Sequence, residues 1–273
     1  MERRRAPRGI TRRPAWTRRP RSSRWRGWRS RPTVNDPNTY FTPLRMSRPF
    51  SPGAGGGGGG GSPVTPTLLH SQVGAADASN NIVTSSVSPV SNKVVYIGVV
   101  HAFGATPGDN VLAASGCGLT WERVGEVVEL GAGNRRKLGV FRALGTATPG
   151  AITITGCDSF QEYMVAVVQW NNASTAGTNG SDATGTPVEN AGSGNLSLTI
   201  PGTPGANDAT FSFFMCEDGV TLTPDADWAS LYFNDAGTDM GFTVDWDAGK
   251  EQNPTCGISA GGSAGIGFIV KAA

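Results

Sequence analysis

Between residues 67 and 273 the apolar positions fall in short runs of two kinds. "LSLTI" (196–200) and "AITIT" (151–155) alternate apolar and polar, the period of a strand with one covered face. "VVYIGVV" (94–100) and "YMVAVVQW" (163–170) are apolar almost throughout, as strands buried on both faces must be. Gly, Asn, Asp and Pro punctuate the runs, and no stripe of 3.6-residue period separates them. The pattern predicts strands over 82–87, 93–103, 120–130, 137–144, 151–155, 163–170, 196–200, 209–216, 229–233, 242–246 and 265–271. Many short strands at this spacing read as an all-β, antiparallel, jelly-roll-like sandwich. The 207 residues from 67 to 273 are enough to bury a core without metals or disulfides.

The first 66 residues show no such periodicity. Residues 1–52 carry prolines at 7, 14, 20, 32, 37, 43, 49 and 52, a density that removes backbone donors and breaks helices. This stretch is expected to be a disordered Arg/Pro-rich arm. Residues 53–66 include seven consecutive glycines at 55–61 and read as a flexible linker spanning on the order of 20 Å. The organisation expected is therefore arm (1–52), linker (53–66) and β-sandwich domain (67–273).

Charge divides the chain along the same line. Residues 1–48 hold 15 arginines against Glu2 and Asp36, a net +13, while the other 225 residues hold 8 basic and 19 acidic groups, a net −11. Such an arm seeks anions, and the body repels nucleic acid. Arg18, Arg19, Arg21, Arg24, Arg26 and Arg29 interleave with Trp25 and Trp28, pairing phosphate-neutralising guanidiniums with indoles that stack on bases. An acidic protein partner, an anionic membrane surface, or loss of the segment from a protein that begins at Met46 are the competing readings. No apolar core of a secretion signal follows the basic opening. The longest apolar run, 94–103, is interrupted by Gly98 and His101 and is shorter than the ~18–20 residues that span a bilayer. A soluble protein is expected.

Little in the body suggests catalysis. "GGSAG" (261–265) matches G-x-S-x-G at Ser263, but a strand rather than a helix follows, and both histidines, His70 and His101, lie upstream. His101 reads as a core or edge residue and His70 as part of the entry segment. Cys117, Cys157, Cys216 and Cys256 lack C-x-x-C spacing and read as buried thiols, with disulfides an alternative if the protein works outside a cell. Carboxylates cluster with aromatics in "DADW", "NDAGTD" and "DWDAG". Trp228, Tyr232, Trp246, Asp245 and Asp247 are the candidate ligand-binding residues for a sugar, or for calcium held by loop carboxylates. The competing reading is turn-forming Asp and core Trp, as for Trp121. Asn172, Asn179 and Asn195 head N-x-S/T sequons within 171–195, a polar stretch read as a long exposed loop and contact surface. No cofactor, metal or enzymatic activity is expected.

The succession "KVVYIGVVHAF", "GLTWERVGEVVELGAGNRRKLGVFRAL", "GAITITG" and "EYMVAVVQW" resembles Gly/Ser/Thr-rich β-sandwich domains of tailed-phage virion proteins, minor tail proteins above all. A polyglycine stretch ahead of the domain is similar to those proteins too. The resemblance rests on packing and turn residues, so it transfers no active site. It implies a virion protein assembled in the host cytoplasm, an oligomer bound to other virion proteins, whose sandwich contacts a host-surface glycan or protein. Two alternatives stand beside it: a coat protein whose Arg-rich arm binds packaged genome inside a jelly-roll shell, and a secreted, non-catalytic carbohydrate-binding module.

Overall fold

In a computed structural model, the chain divides into two units, Met1–Gly56 and Gly57–Ala273. The described residues all belong to the second: 61–75, 81–103, 111–129, 135–157, 160–217, 222–234, 240–249, 251–257 and 261–273. The arm, most of the linker, Arg18, Arg19, Arg21, Arg24, Arg26, Arg29, Trp25, Trp28, and the carboxylates Asp235 and Asp239 lie outside them.

The body is built from antiparallel strands. The first half contributes β1 (Thr65–Ala75), β2 (Ile82–Val83), β3 (Val94–Phe103), β4 (Ala113–Gly116), β5 (Trp121–Glu129), β6 (Arg135–Ala143), β7 (Ile152–Thr155) and β8 (Phe160–Asn171). The second contributes β9 (Val188–Ser193), β10 (Leu196–Ser197), β11 (Ala209–Glu217), β12 (Thr223–Pro224), β13 (Ala229–Asn234), β14 (Met240–Asp247), β15 (Thr255–Gly257) and β16 (Gly262–Val270). One five-stranded sheet has the order β1-β8-β3-β6-β5, beside a three-stranded sheet β2-β7-β4. The other five-stranded sheet reads β9-β16-β11-β14-β13, beside β10-β15-β12. Numbered within its own half, each half is therefore 1-8-3-6-5 with 2-7-4. This is jelly-roll order, with the fifth strand paired to the sixth.

The sandwich predicted as one unit is thus two jelly-roll repeats in tandem. Local details repeat as well. Register slips between Arg123 and Gly125 in β5 and between Ser230 and Tyr232 in β13, leaving Val124 and Leu231 as matching bulge residues. Trp121 and Trp228 each stand three residues earlier.

The two five-stranded sheets face each other across the main core. Val94, Tyr96, Val100 and Ala102 of β3 point into it beside Met164, Ala166, Val168 and Trp170 of β8, meeting Ala209, Phe211, Phe213 and Met215 of β11. Alternate residues, Val95, Ile97 and Val99, face the small sheet instead. Both faces of β3 are buried, which is why its sequence lacks alternation. Aromatic edges lock the layer: Trp170 meets Phe211 with centroids 5.1 Å apart, and Phe211 meets Phe213 at 4.8 Å. At Gly98 a Cβ would lie 2.3 Å from the Phe213 ring, so glycine sets how closely the sheets approach.

Two expectations need correction. β1 begins at Thr65, inside the stretch read as linker, because Val64 is buried and its N–H donates to Asn207 O at 3.0 Å. β1 escaped the periodicity because register slips between Leu68 and His70, breaking the alternation. Residues 171–195 are not a long exposed loop. They hold a 3-10 helix (Thr178–Ala183) and β9, with Ala173, Gly180 and Ala183 buried. Arg142 donates to Ser181 O at 3.3 Å and to Glu122 at 2.7 Å, while Tyr96 OH bonds Thr184 Oγ1. Burial pushes the Tyr96 phenol up to about 12, so that hydroxyl stays protonated.

Both described ends of the body lie at one pole. Gly61 O accepts from Asn207 Nδ2 at 2.6 Å, Pro63 O from Asn172 Nδ2 at 2.9 Å, and Asn172 O from the Ala273 N–H at 2.9 Å. β3 and β11 end at the opposite pole, where Phe103 pairs with Arg135 and Glu217 with Met240. Among the described residues no helix is long and apolar enough to cross a membrane.

Trp170→Ala opens a cavity in the shared core and is expected to cost about 3–5 kcal/mol. Val73→Ala, at a position 41% exposed, should stay within about 0.5 kcal/mol. Urea denaturation of the two variants tests where the core lies.

Candidate functional site

The carboxylate- and aromatic-rich segments converge where β13 begins and β14 ends. Asp225 follows β12 and closes the turn into β13. Its Oδ1 accepts from Asp227 N at 3.2 Å, and its Oδ2 accepts from Thr255 N at 3.2 Å and Thr255 Oγ1 at 2.9 Å. Burial raises its pKa, but these donors outweigh burial and hold the carboxyl below its ordinary range. Asp247 closes the next turn, accepting from Gly249 N at 2.6 Å and Glu251 N at 2.8 Å.

The aromatic candidates pack inward. Trp228 is 6% exposed, lies against Ile200 and Ile269, and donates its indole N–H to Glu251 Oε2 at 3.2 Å. Trp246 is half-buried with its ring edge-on to Trp170 at 6.1 Å. Tyr232 is half-buried against Phe242, and burial raises its phenol. The corner therefore gathers Trp228, Tyr232, Trp246, Asp245 and Asp247, with the three aromatics packed inward and Asp247 closing a turn. Trp228 turns no open face toward a sugar.

Carboxylate oxygens of Asp225, Asp227 and Glu251 lie within 4.8 Å of one another. Calcium takes six to eight oxygens. Here both Asp225 oxygens and Glu251 Oε2 are occupied by N–H or O–H donors, and only Asp227 is exposed. Turn closure accounts for the cluster.

Asp245 is different. It is 2% exposed, and its oxygens lie 2.9 and 2.8 Å from Thr243 Oγ1. Burial drives its pKa up to about 7, the like charge of Asp225 adds to the rise, and hydrogen bonds from Thr243 and Ser230 oppose it. Its neighbours Ser212, Ser230 and Thr243 were not singled out in the sequence. The available signal was internal: Ser212 and Asp245 occupy the second-repeat positions of Ile97 and Phe141, cross-strand partners in the first.

The remaining candidates are structural. Ser263 lies within β16, 2% exposed, with its hydroxyl donating to Gly194 O at 3.3 Å; no strand-to-helix elbow is present there. His101 is buried opposite Lys137 and Tyr163, and burial, reinforced by Lys137, lowers its pKa to about 3. His70 is half-buried with a ring nitrogen 3.2 Å from Gln72 Oε1. All four cysteines are buried.

No family model matches the chain, and no curated protein is significantly similar to it.

Proposed function

We propose that this chain is a non-enzymatic structural protein of a virus particle, a phage tail-associated module whose tandem jelly roll meets a host-surface glycan or protein. The observation that carries the reading is polar: Gly61 and Ala273 are both tied to the same end of the body. At the other end of the body Phe103 pairs with Arg135 and Glu217 with Met240, and segments that join strands of a rigid β scaffold are the usual site of recognition. Jelly rolls serve in viral capsids and lectins alike, so the fold alone does not choose a partner.

The separation of charge favours a second reading, a coat protein. An arm of net +13 on a body of net −11 fits a chain in which only the arm meets packaged genome.

Nucleic-acid binding and host binding separate the two. In the coat reading the full chain binds DNA or RNA, loses about 10³-fold or more in affinity between roughly 50 and 200 mM salt, and stops binding when residues 1–48 are deleted. Binding that survives the deletion sinks that reading. In the tail reading the chain lacking residues 1–48 still labels host cells or a glycan array. A blank array and unlabelled cells, from a protein with an intact cooperative unfolding transition, sink it.

A further inference from the structure

The second repeat is polar where the first is apolar. Behind the central sheet of the first repeat, Ile97 and Phe141 pair across β3 and β6 within an apolar cluster. Their counterparts, Ser212 on β11 and Asp245 on β14, are 0% and 2% exposed. On its other side Asp245 pairs with Ser230 of the edge strand β13. Ser212 Oγ has no hydrogen-bond partner.

Counting protons shows what this cluster requires. Thr243 Oγ1 lies 2.9 and 2.8 Å from the two Asp245 oxygens and 3.2 Å from Tyr232 O. Ser230 Oγ is also 3.2 Å from Tyr232 O. A hydroxyl carries one proton. A neutral Asp245 donates to Thr243, which then donates to the Tyr232 carbonyl, completing a chain from β14 to β13. An ionised Asp245, with no cation beside it among the described residues, draws the protons of both Thr243 and Ser230, its two hydroxyl partners, and leaves the Tyr232 carbonyl with neither donor. The bulge between Ser230 and Tyr232 already interrupts the β13 ladder at this point, so the carbonyl lies where the edge strand is least held.

The surroundings offer an ionised Asp245 no countercharge. β11 and β16 bring Ser212 and Gly267 to this register, and β13 brings Ser230, while the Tyr232 ring packs on the other face against Phe242. Asp225 and Asp227 from the β12–β13 turn, Glu251 beyond β14, and Asp247 on the same strand are all acidic.

We propose that Asp245 is a proton-operated latch: neutral, it ties the edge strand β13 to β14 through Thr243 and the Tyr232 carbonyl, and ionised, it releases that strand.

The sign follows from linkage. The folded carboxyl titrates near 7 against about 4 when unfolded, so between those values the folded state binds the extra proton. The contribution is fully present at acid pH and is lost as pH rises through about 7. His101 acts oppositely, because its lowered pKa weakens the fold as pH drops below about 6.5. The test therefore compares variants at each pH.

Hydrogen exchange of residues 229–234 in the full chain, corrected for intrinsic rates, is read as the protection of the wild type relative to Asp245→Asn, whose amide donates to Thr243 at every pH. That ratio should be about tenfold greater at about pH 5.5 than at about pH 8. A ratio that does not change with pH overturns the latch. If the variant does not fold, the ¹³C carboxyl shift of Asp245 in the wild type decides: a midpoint near 7 supports the latch, and one below about 5 overturns it.

Discussion

The rest of the body depends on one contact, the packing of two five-stranded sheets across a layer of aromatic rings. Tyr96, Trp170, Phe211, Phe213, Phe242 and Phe268 fill it, with Tyr96 stacked on Phe268 at 5.0 Å and Phe213 on Phe242 at 6.1 Å. Neither repeat can bury its inner face alone, because each supplies only one wall. The requirement propagates outward: a sheet covered on its inner face still has an outer face of Val, Ile and Phe, which the three-stranded sheets cover.

Fusing two copies in one chain leaves edges to manage. Glu189 of β9 accepts the Glu126 N–H of β5 at 2.9 Å, so one free edge is capped by a charged residue of the other repeat. The segment joining the repeats is held rather than loose. Gly185 N donates to Ile269 O at 2.9 Å, and Lys271 N donates to Ala183 O at 2.9 Å, stitching the joint to the last strand. Asp208 closes the same pole by accepting from Gly205 N, Ala272 N and Lys271 Nζ. Burial pushes its carboxyl up, and these donors more than offset it.

The fold class was legible because solvent exposure writes itself into alternation, and "VVYIGVV" and "YMVAVVQW" announced strands covered on both faces. The tandem repeat was not, since the halves share positions more than residues: Val165 and Val167 of β8 correspond to Gly265 and Gly267 of β16. Short strands such as β2, β4, β12 and β15, of two to four residues, are too brief to show a period. β9 was hidden because its residues are mostly exposed, leaving no apolar face to detect. At the corner of β13 and β14 the sequence located the right residues but not their direction. Asp beside Trp reads equally as a binding site or as a turn next to core, and only hydrogen-bond partners such as Thr255 for Asp225 separate the two.

Divergence between the repeats concentrates where it costs the shared core least. The glycines of β16 lie beneath Leu198 and Ile200, whose side chains come within 3.0–3.1 Å of where a Gly267 Cβ would stand and so occupy the space the first repeat gives to valine. Ser212 and Asp245 face this outer layer, away from the aromatic wall between the sheets. β14 is held by β11 along its whole length, from Thr210 opposite Asp247 to Glu217 opposite Met240. β13 has a ladder with β14 alone. A charge appearing at Asp245 therefore strains the contact with the least redundant support, and the strand that yields first is β13.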